Sequence, residues 1–127
     1  MPRRWNRRVS LAALLASGLL FAACGGGGGG SVTKTAVNGA ITVNASDPYN
    51  FDVKTIKASP GPLTVTLHEK GSQQHTFSLS SPKFELVVTS SKPDATGTVT
   101  LKAGTYPFKC SFDGHAAAGM TGTIVVG

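Results

Sequence analysis

The sequence predicts an all-β protein: a Greek-key β-sandwich over residues 32–127, preceded by an N-terminal signal peptide and a glycine-rich linker. Three observations predict this fold. After residue 31, Val and Thr dominate, and Gly, Pro, Asn and Asp interrupt the chain about every 8–12 residues. Residues 63–67 and 98–101 alternate apolar and polar side chains, which is typical of strands with one buried face. No convincing stretch shows the periodicity of an amphipathic helix.

The interruptions divide the domain into a series of short predicted strands. These strands are residues 33–37, 41–44, 51–56, 63–68, 75–80, 84–88, 97–101, 105–110 and 121–126. The turn signals between them are Asp47-Pro48, Pro60-Gly61, Lys70-Gly71 and Ala103-Gly104. Many short strands joined by such turns predict antiparallel pairing in two packed sheets.

Residues 1–23 have the features of a signal peptide. The basic residues at its start are Arg3, Arg4, Arg7 and Arg8. They precede an apolar run of 15 residues, 9–23, which is too short for a comfortable membrane span. The sequence leaves the export route open between the general secretory and the twin-arginine pathways.

Cys24 is the predicted site of lipidation. Phe21-Ala22-Ala23-Cys24 resembles a bacterial lipobox, in which the cysteine is lipidated and becomes the first residue. Six glycines follow at once, so residues 24–31 form a lipidated cysteine and a flexible tether. Ordinary secretory cleavage near Ala22-Ala23 is the alternative. The expected location is the outer face of the bacterial cytoplasmic membrane, or the cell envelope.

The net charge gives no argument for a nucleic acid partner. The formal charge of +6 comes from 12 basic and six acidic residues. Four of the basic residues are signal-peptide arginines, so the mature chain has eight lysines against six acids, a charge of +2. The high isoelectric point therefore reflects the export signal, and we expect no nucleic acid partner.

The strongest chemical signal is the segment from Cys110 to Met120. Cys110, His115 and Met120 are spaced five residues apart, a step that suits neither one helix face nor one strand face. Gly114 and Gly119 precede two of these side chains, so the segment should be a looped turn. A thiolate, two imidazoles and a weak thioether define a blue-copper electron-transfer site. His75, in Gln73-Gln74-His75-Thr76-Phe77, offers the second imidazole.

The Cys-x4-His-x4-Met loop resembles that of the cupredoxin family, over roughly residues 40–127. Residues 104–109 before the loop and 122–126 after it also match, and the loop spacing is closer to auracyanins and rusticyanin than to plastocyanin. The resemblance implies one copper ion held by His75, Cys110, His115 and Met120. It also implies an electron port formed by the edge of the loop histidine and its neighbours. These port residues are His115, Ala116, Ala117, Ala118 and Gly119.

Of three positions beside the ligands, one matches the cupredoxin pattern and two depart from it. Thr76 matches the small polar residue that braces the cysteine loop in cupredoxins. Glu69 stands where relatives often carry Asn, and Asp113 stands where they often carry Pro. We expect Asp113 to face solvent.

Other side chains have simpler interpretations. His68 shares a strand with Leu63 and Leu67, whose opposite parity places it outward as an exposed histidine. Phe51, Phe77, Phe84 and Phe108 are expected in the core, and the lysines on a solvated face. Zinc could replace copper at Cys, His and His, since geometry and availability decide the occupant.

We therefore expect a monomeric, membrane-tethered electron carrier that exchanges single electrons with a redox partner protein, and not an enzyme. The sequence shows no Ser/His/Asp constellation and no cluster of three histidines for an open metal site. One alternative is a copper-binding or transport protein of the cell envelope. The other is a sandwich that has lost its metal and acts as an interaction module. The redox partner and the reduction potential are not encoded in any recognisable pattern.

Overall fold

A computed structural model describes residues 31–127, so the predicted signal peptide and Cys24 lie outside the described residues. Ten strands and no helix form within that range, which confirms the all-β prediction. The strands are β1 (Thr33–Thr35), β2 (Ala40–Ser46), β3 (Asn50–Phe51), β4 (Thr55–Ala58), β5 (Gly61–Glu69), β6 (His75–Leu79), β7 (Phe84–Val88), β8 (Asp94–Leu101), β9 (Gly104–Lys109) and β10 (Thr121–Val126). Over residues 31–127, no helix has the length and apolarity that crossing a membrane requires.

The strands form two sheets that pack as a sandwich. One sheet has six strands in the order β1-β4-β10-β9-β6-β7, and the other has four in the order β3-β2-β5-β8. The prediction of purely antiparallel pairing is wrong at three places, where β1 pairs with β4, β4 with β10, and β2 with β5 in parallel. Parallel neighbours arise because the chain crosses between the sheets instead of always turning back on the preceding strand.

The predicted single strand over residues 51–56 is also wrong. Phe51 ends β3 in the four-stranded sheet, whereas Thr55 begins β4 in the other sheet. The burial parity changes between them: Phe51 and Val53 are buried, and the next buried side chain is Ile56. Asp52 stabilises the crossover from β3 to β4. Its carboxylate accepts hydrogen bonds from the backbone amide of Asn44 (2.9 Å) and from Lys34 Nζ (2.6 Å).

Three buried phenylalanines form the part of the core nearest to the predicted site. Phe77 stacks on Phe108 with ring centroids 4.6 Å apart, and Phe51 packs edge-on against both at 6.0 and 5.6 Å. Burial of each such ring contributes roughly 1.5–3 kcal/mol. Gly122 is required opposite them, because an added Cβ would overlap the Phe108 ring and approach the Lys54 carbonyl oxygen to 2.7 Å. Phe77 and Phe108 each lie two residues from a predicted ligand, so this packing fixes the strand ends that carry the site.

Candidate metal centre

Two predicted ligands come from neighbouring ends of β6 and β9. His75 is the first residue of β6, and Cys110 follows the last residue of β9. The two strands are antiparallel, with Ser78 opposite Lys109, so the start of one lies beside the end of the other. Both side chains are buried, at 0% and 1% exposure.

The other two predicted ligands lie in the loop between β9 and β10. Gly114 and Gly119, immediately before His115 and Met120, have φ angles of +79° and +107°, which favour glycine. The Met120 amide donates to the His115 carbonyl at 3.1 Å, and the Met120 carbonyl accepts from the Cys110 amide at 3.0 Å. The segment is therefore the looped turn that the spacing predicts, and it brings the backbone of Met120 against that of Cys110.

The donor atoms of His75, Cys110 and His115 all lie within 4.8 Å of one another. Cys110 Sγ is 3.4 Å from His115 Nδ1, and the imidazole rings of His75 and His115 have centroids 5.3 Å apart. Met120 is fully buried at the end of the same loop.

Neither ring nitrogen of His75 has a hydrogen-bond partner among the described residues, although the side chain is fully buried. Buried polar groups are normally satisfied, so an unpartnered imidazole beside a thiol and a second imidazole is the arrangement expected of a metal ligand. One soft sulfur and two imidazole nitrogens are donors that suit copper, and the residues present fit that ion.

Thr76 holds the cysteine loop, as the resemblance implies. Its amide nitrogen lies 3.4 Å from Cys110 Sγ, and its hydroxyl lies 3.7 Å from the same sulfur. The hydroxyl oxygen also accepts from the Ser111 amide at 2.6 Å and exchanges a hydrogen bond with the Ser111 hydroxyl at 2.9 Å. Donors directed at the sulfur stabilise its thiolate form and fix its position.

A family model of the cupredoxin-like domain matches residues 12–126. The chain is a cupredoxin. It is similar to solved structures of reduced rusticyanin (25% identity, 75% of this chain and 84% of that chain, TM-score 0.60). Two further structures share the fold. Reduced auracyanin from the photosynthetic bacterium Roseiflexus castenholzii has 19% identity and a TM-score of 0.57, over 72% of this chain and 99% of that chain. A mutant fern plastocyanin has 21% identity and a TM-score of 0.54, over 68% of this chain and 100% of that chain. Curated protein sequences give no significant match. The family and the arrangement of His75, Cys110, His115 and Met120 together support one type 1 copper ion.

Lys54 is a structural support of this cupredoxin site that the sequence did not reveal. Its ammonium group donates to the carbonyl of Gly119 and, at 3.2 Å, to that of Thr121, on either side of Met120. Its own carbonyl accepts from the Thr123 amide at 2.9 Å. The sequence interpretation placed the lysines on a solvated face, and no local pattern distinguishes Lys54 from the others.

Tyr49 is a second residue that sequence reasoning missed. Its ring packs against His115 with centroids 4.7 Å apart, and Phe112 approaches the same imidazole at 5.7 Å. Tyr49 remains 41% exposed. Among the predicted port residues, Ala116 is half-buried like His115, whereas Ala117, Ala118 and Gly119 are exposed. The loop histidine therefore reaches the surface beside a tyrosine as well as beside the small residues.

Two carboxyl groups lie behind His75. Asp47 Oδ1 is 3.5 Å and Glu69 Oε2 is 3.7 Å from His75 Nε2. The pKa of Asp47 is lowered, chiefly because the Ser72 amide donates a hydrogen bond to its carboxylate. The Ser72 hydroxyl, the Gln73 amide and His75 lower it further, whereas desolvation raises it by less than the Ser72 amide lowers it. Glu69 is buried, at 4% exposure, which is rare for a carboxyl group.

The remaining expectations concern residues outside the ligand set. His68 faces away from the core and pairs with Asp94, with Nδ1 and Oδ1 2.6 Å apart, so it takes no part in the site. Asp113 is exposed, as expected.

Proposed function

We propose that this cupredoxin carries single electrons between redox partner proteins outside the cytoplasm, and that lipid on Cys24 tethers it to a membrane. The observation that carries the proposal is the convergence of Cys110, His75 and His115 within 4.8 Å at one end of the sandwich. Rusticyanin, at 25% identity, is a copper protein, which supports the same metal here. The buried Met120 thioether would complete the donor set as a weak fourth ligand.

When bound, copper supplies reversible exchange of one electron between its +1 and +2 states. The protein holds the donors in one geometry that is tolerable in both states. Cys110 is fixed by Thr76, and the loop is closed by the hydrogen bonds around Met120 and Lys54. Burial of His75, Cys110 and Met120 excludes water, and the exposed edge of the loop beside His115 gives a partner its route of approach.

The visible spectrum tests this function. Copper-loaded, oxidised protein should be intensely blue or green from thiolate-to-copper charge transfer, should contain one copper per chain, and should bleach reversibly with ascorbate. Zinc-loaded protein is the colourless control. A colourless one-to-one Cu(II) complex would be inconsistent with a type 1 site, and the proposal of electron transfer would have to be abandoned.

The membrane tether is tested at Cys24. Native protein should carry lipid on this residue and should need detergent for extraction, because a processed lipobox cysteine bears at least two acyl chains and one chain alone is marginal. Cys24→Ser should release the domain into the soluble fraction or leave the precursor unprocessed. Cys110→Ser is the matched control and should stay in the membrane. An unmodified, soluble native form that begins at Cys24 would contradict the tether.

A further inference from the structure

The carboxyl groups of Asp47 and Glu69 both approach one ring nitrogen of His75, Nε2. His75 Nε2 lies 3.5 Å from Asp47 Oδ1 and 3.7 Å from Glu69 Oε2, within the range of a charge pair but longer than a formed hydrogen bond. Both His75 Nε2 and Glu69 Oε2 are buried without a hydrogen-bond partner among residues 31–127. Two unsatisfied groups of complementary chemistry therefore face each other.

Glu69 Oε2 is the carboxylate oxygen near His75 that accepts no other hydrogen bond, whereas both Asp47 oxygens have other donors. The Asp47 oxygens already accept from the Ser72 amide and hydroxyl, both at 2.8 Å, and from the Gln73 amide at 3.0 Å. The Asp47 side chain is also 32% exposed, whereas the Glu69 side chain is 0% exposed. Glu69 Oε1 accepts from the Gly71 amide, which anchors the carboxyl group and leaves Oε2 directed at His75.

Gly71 makes this arrangement possible. An added Cβ there would overlap the Asp47 carboxyl group, so a side chain at this position would displace that carboxyl group from its present place. Because Nε2 faces the carboxyl groups, Nδ1 is the nitrogen left for the cluster with Cys110 and His115.

We propose that Glu69 is a positioning residue for the copper site: a small shift from the 3.7 Å contact lets its Oε2 accept the Nε2–H of His75, which fixes the tautomer whose Nδ1 lone pair faces Cys110 and His115. Metal-ligating histidines commonly donate their second N–H to such an acceptor, which raises the basicity of the ligand nitrogen. A more basic Nδ1 favours Cu(II) over Cu(I), so Glu69 lowers the reduction potential. The effect on copper depends on the proposed function, whereas the tautomer of the copper-free protein does not.

A second metal ion bound by Asp47, Glu69 and His75 is the competing interpretation of the same cluster. With copper on Nδ1, it would require His75 to lose both ring protons, and the second ion would share the Asp47 carboxylate with the donors of Ser72 and Gln73. The geometry favours the hydrogen bond, and metal content distinguishes the two.

The test uses the mature protein with Glu69→Leu, Glu69→Gln and, as control, Asp94→Asn, which removes the other carboxylate–imidazole contact, at His68. Nitrogen-15 NMR of the ring should show His75 protonated at Nε2 in the copper-free wild type and in Glu69→Gln, whose amide oxygen can still accept. Glu69→Leu should lose that preference and bind Cu(II) about 10–100-fold more weakly. Each tenfold loss of affinity for Cu(II) relative to Cu(I) should raise the reduction potential by ~59 mV. The rise should be smaller in Glu69→Gln, and Asp94→Asn should show none.

Four results would overturn the proposal. The first three are wild-type His75 protonated at Nδ1, a wild-type potential in Glu69→Leu, and two metal ions per chain after loading with copper and zinc. The fourth is an equal rise of the potential in Asp94→Asn, which would reduce the effect to a general loss of charge. If Glu69→Leu fails to fold, the wild-type tautomer and the Glu69→Gln potential still decide the question. Copper-loaded protein without a type 1 spectrum would defeat the proposed function alone, since the tautomer is measured without copper.

Discussion

We expect Cys110→Ser to abolish the visible colour of copper-loaded protein and His68→Ala to leave it unchanged. The colour arises from charge transfer between a thiolate and copper, and Cys110 is the sole free cysteine among residues 31–127. A serine hydroxyl at this position is a hard, weakly acidic donor and cannot supply the transition. The loss should be complete, and the substitution should disturb the fold little, because oxygen replaces one buried sulfur atom.

His68→Ala is the matched control for this substitution. The chain has three histidines, and His68 is the one whose ring pairs with Asp94 at the surface, away from Cys110. Absorption spectra and copper content of wild type, Cys110→Ser, His75→Ala and His68→Ala, measured side by side, check the assignment. Removal of copper by His68→Ala as thorough as by His75→Ala would show that the strand parity argument assigned the wrong histidine.

The sequence predicts the ligands better than it predicts their supports. Cys110, His115 and Met120 belong to one short loop, where residue type, spacing and two glycines act locally and can be recognised directly. Strand β5 was predicted for a similar reason, since the alternation of Leu63, Val65 and Leu67 is a local signal of one buried face. The observed strand is longer than the predicted one by two residues at the start and one at the end, because pairing with its neighbours extends it.

The missed features all depend on contacts between distant parts of the chain. Lys54 reaches Gly119 across 65 residues of sequence, and Tyr49 contacts His115 from the segment between β2 and β3. The break between β3 and β4 depends on which neighbour each segment finds, β2 for Phe51 and β10 for Thr55. None of these contacts has a periodic or compositional signal, so a single sequence could not reveal them.

Ala117→Glu should slow electron transfer to a physiological partner about tenfold, a typical span for association-rate changes within one interface. Ala117 is exposed in the loop between His115 and Met120, where a partner must approach closely. A glutamate there must be desolvated when the partner docks, and it repels acidic partners over the ~10 Å range of charge interactions at 0.1 M salt. The visible spectrum and the potential should change little, because Ala117 is not a ligand.

Thr98→Glu is the control, since Thr98 is equally exposed but lies on β8 in the four-stranded sheet, where its hydroxyl pairs with that of Thr64 at 2.9 Å. Stopped-flow oxidation of both variants at two ionic strengths measures the effect. With an acidic partner, only Ala117→Glu should be slow, and more so at low salt, where screening is weakest. Equal slowing by both substitutions, or by neither, would show that electrons leave elsewhere. Tyr49, whose ring lies against His115 and is 41% exposed, would then be the first alternative exit to test.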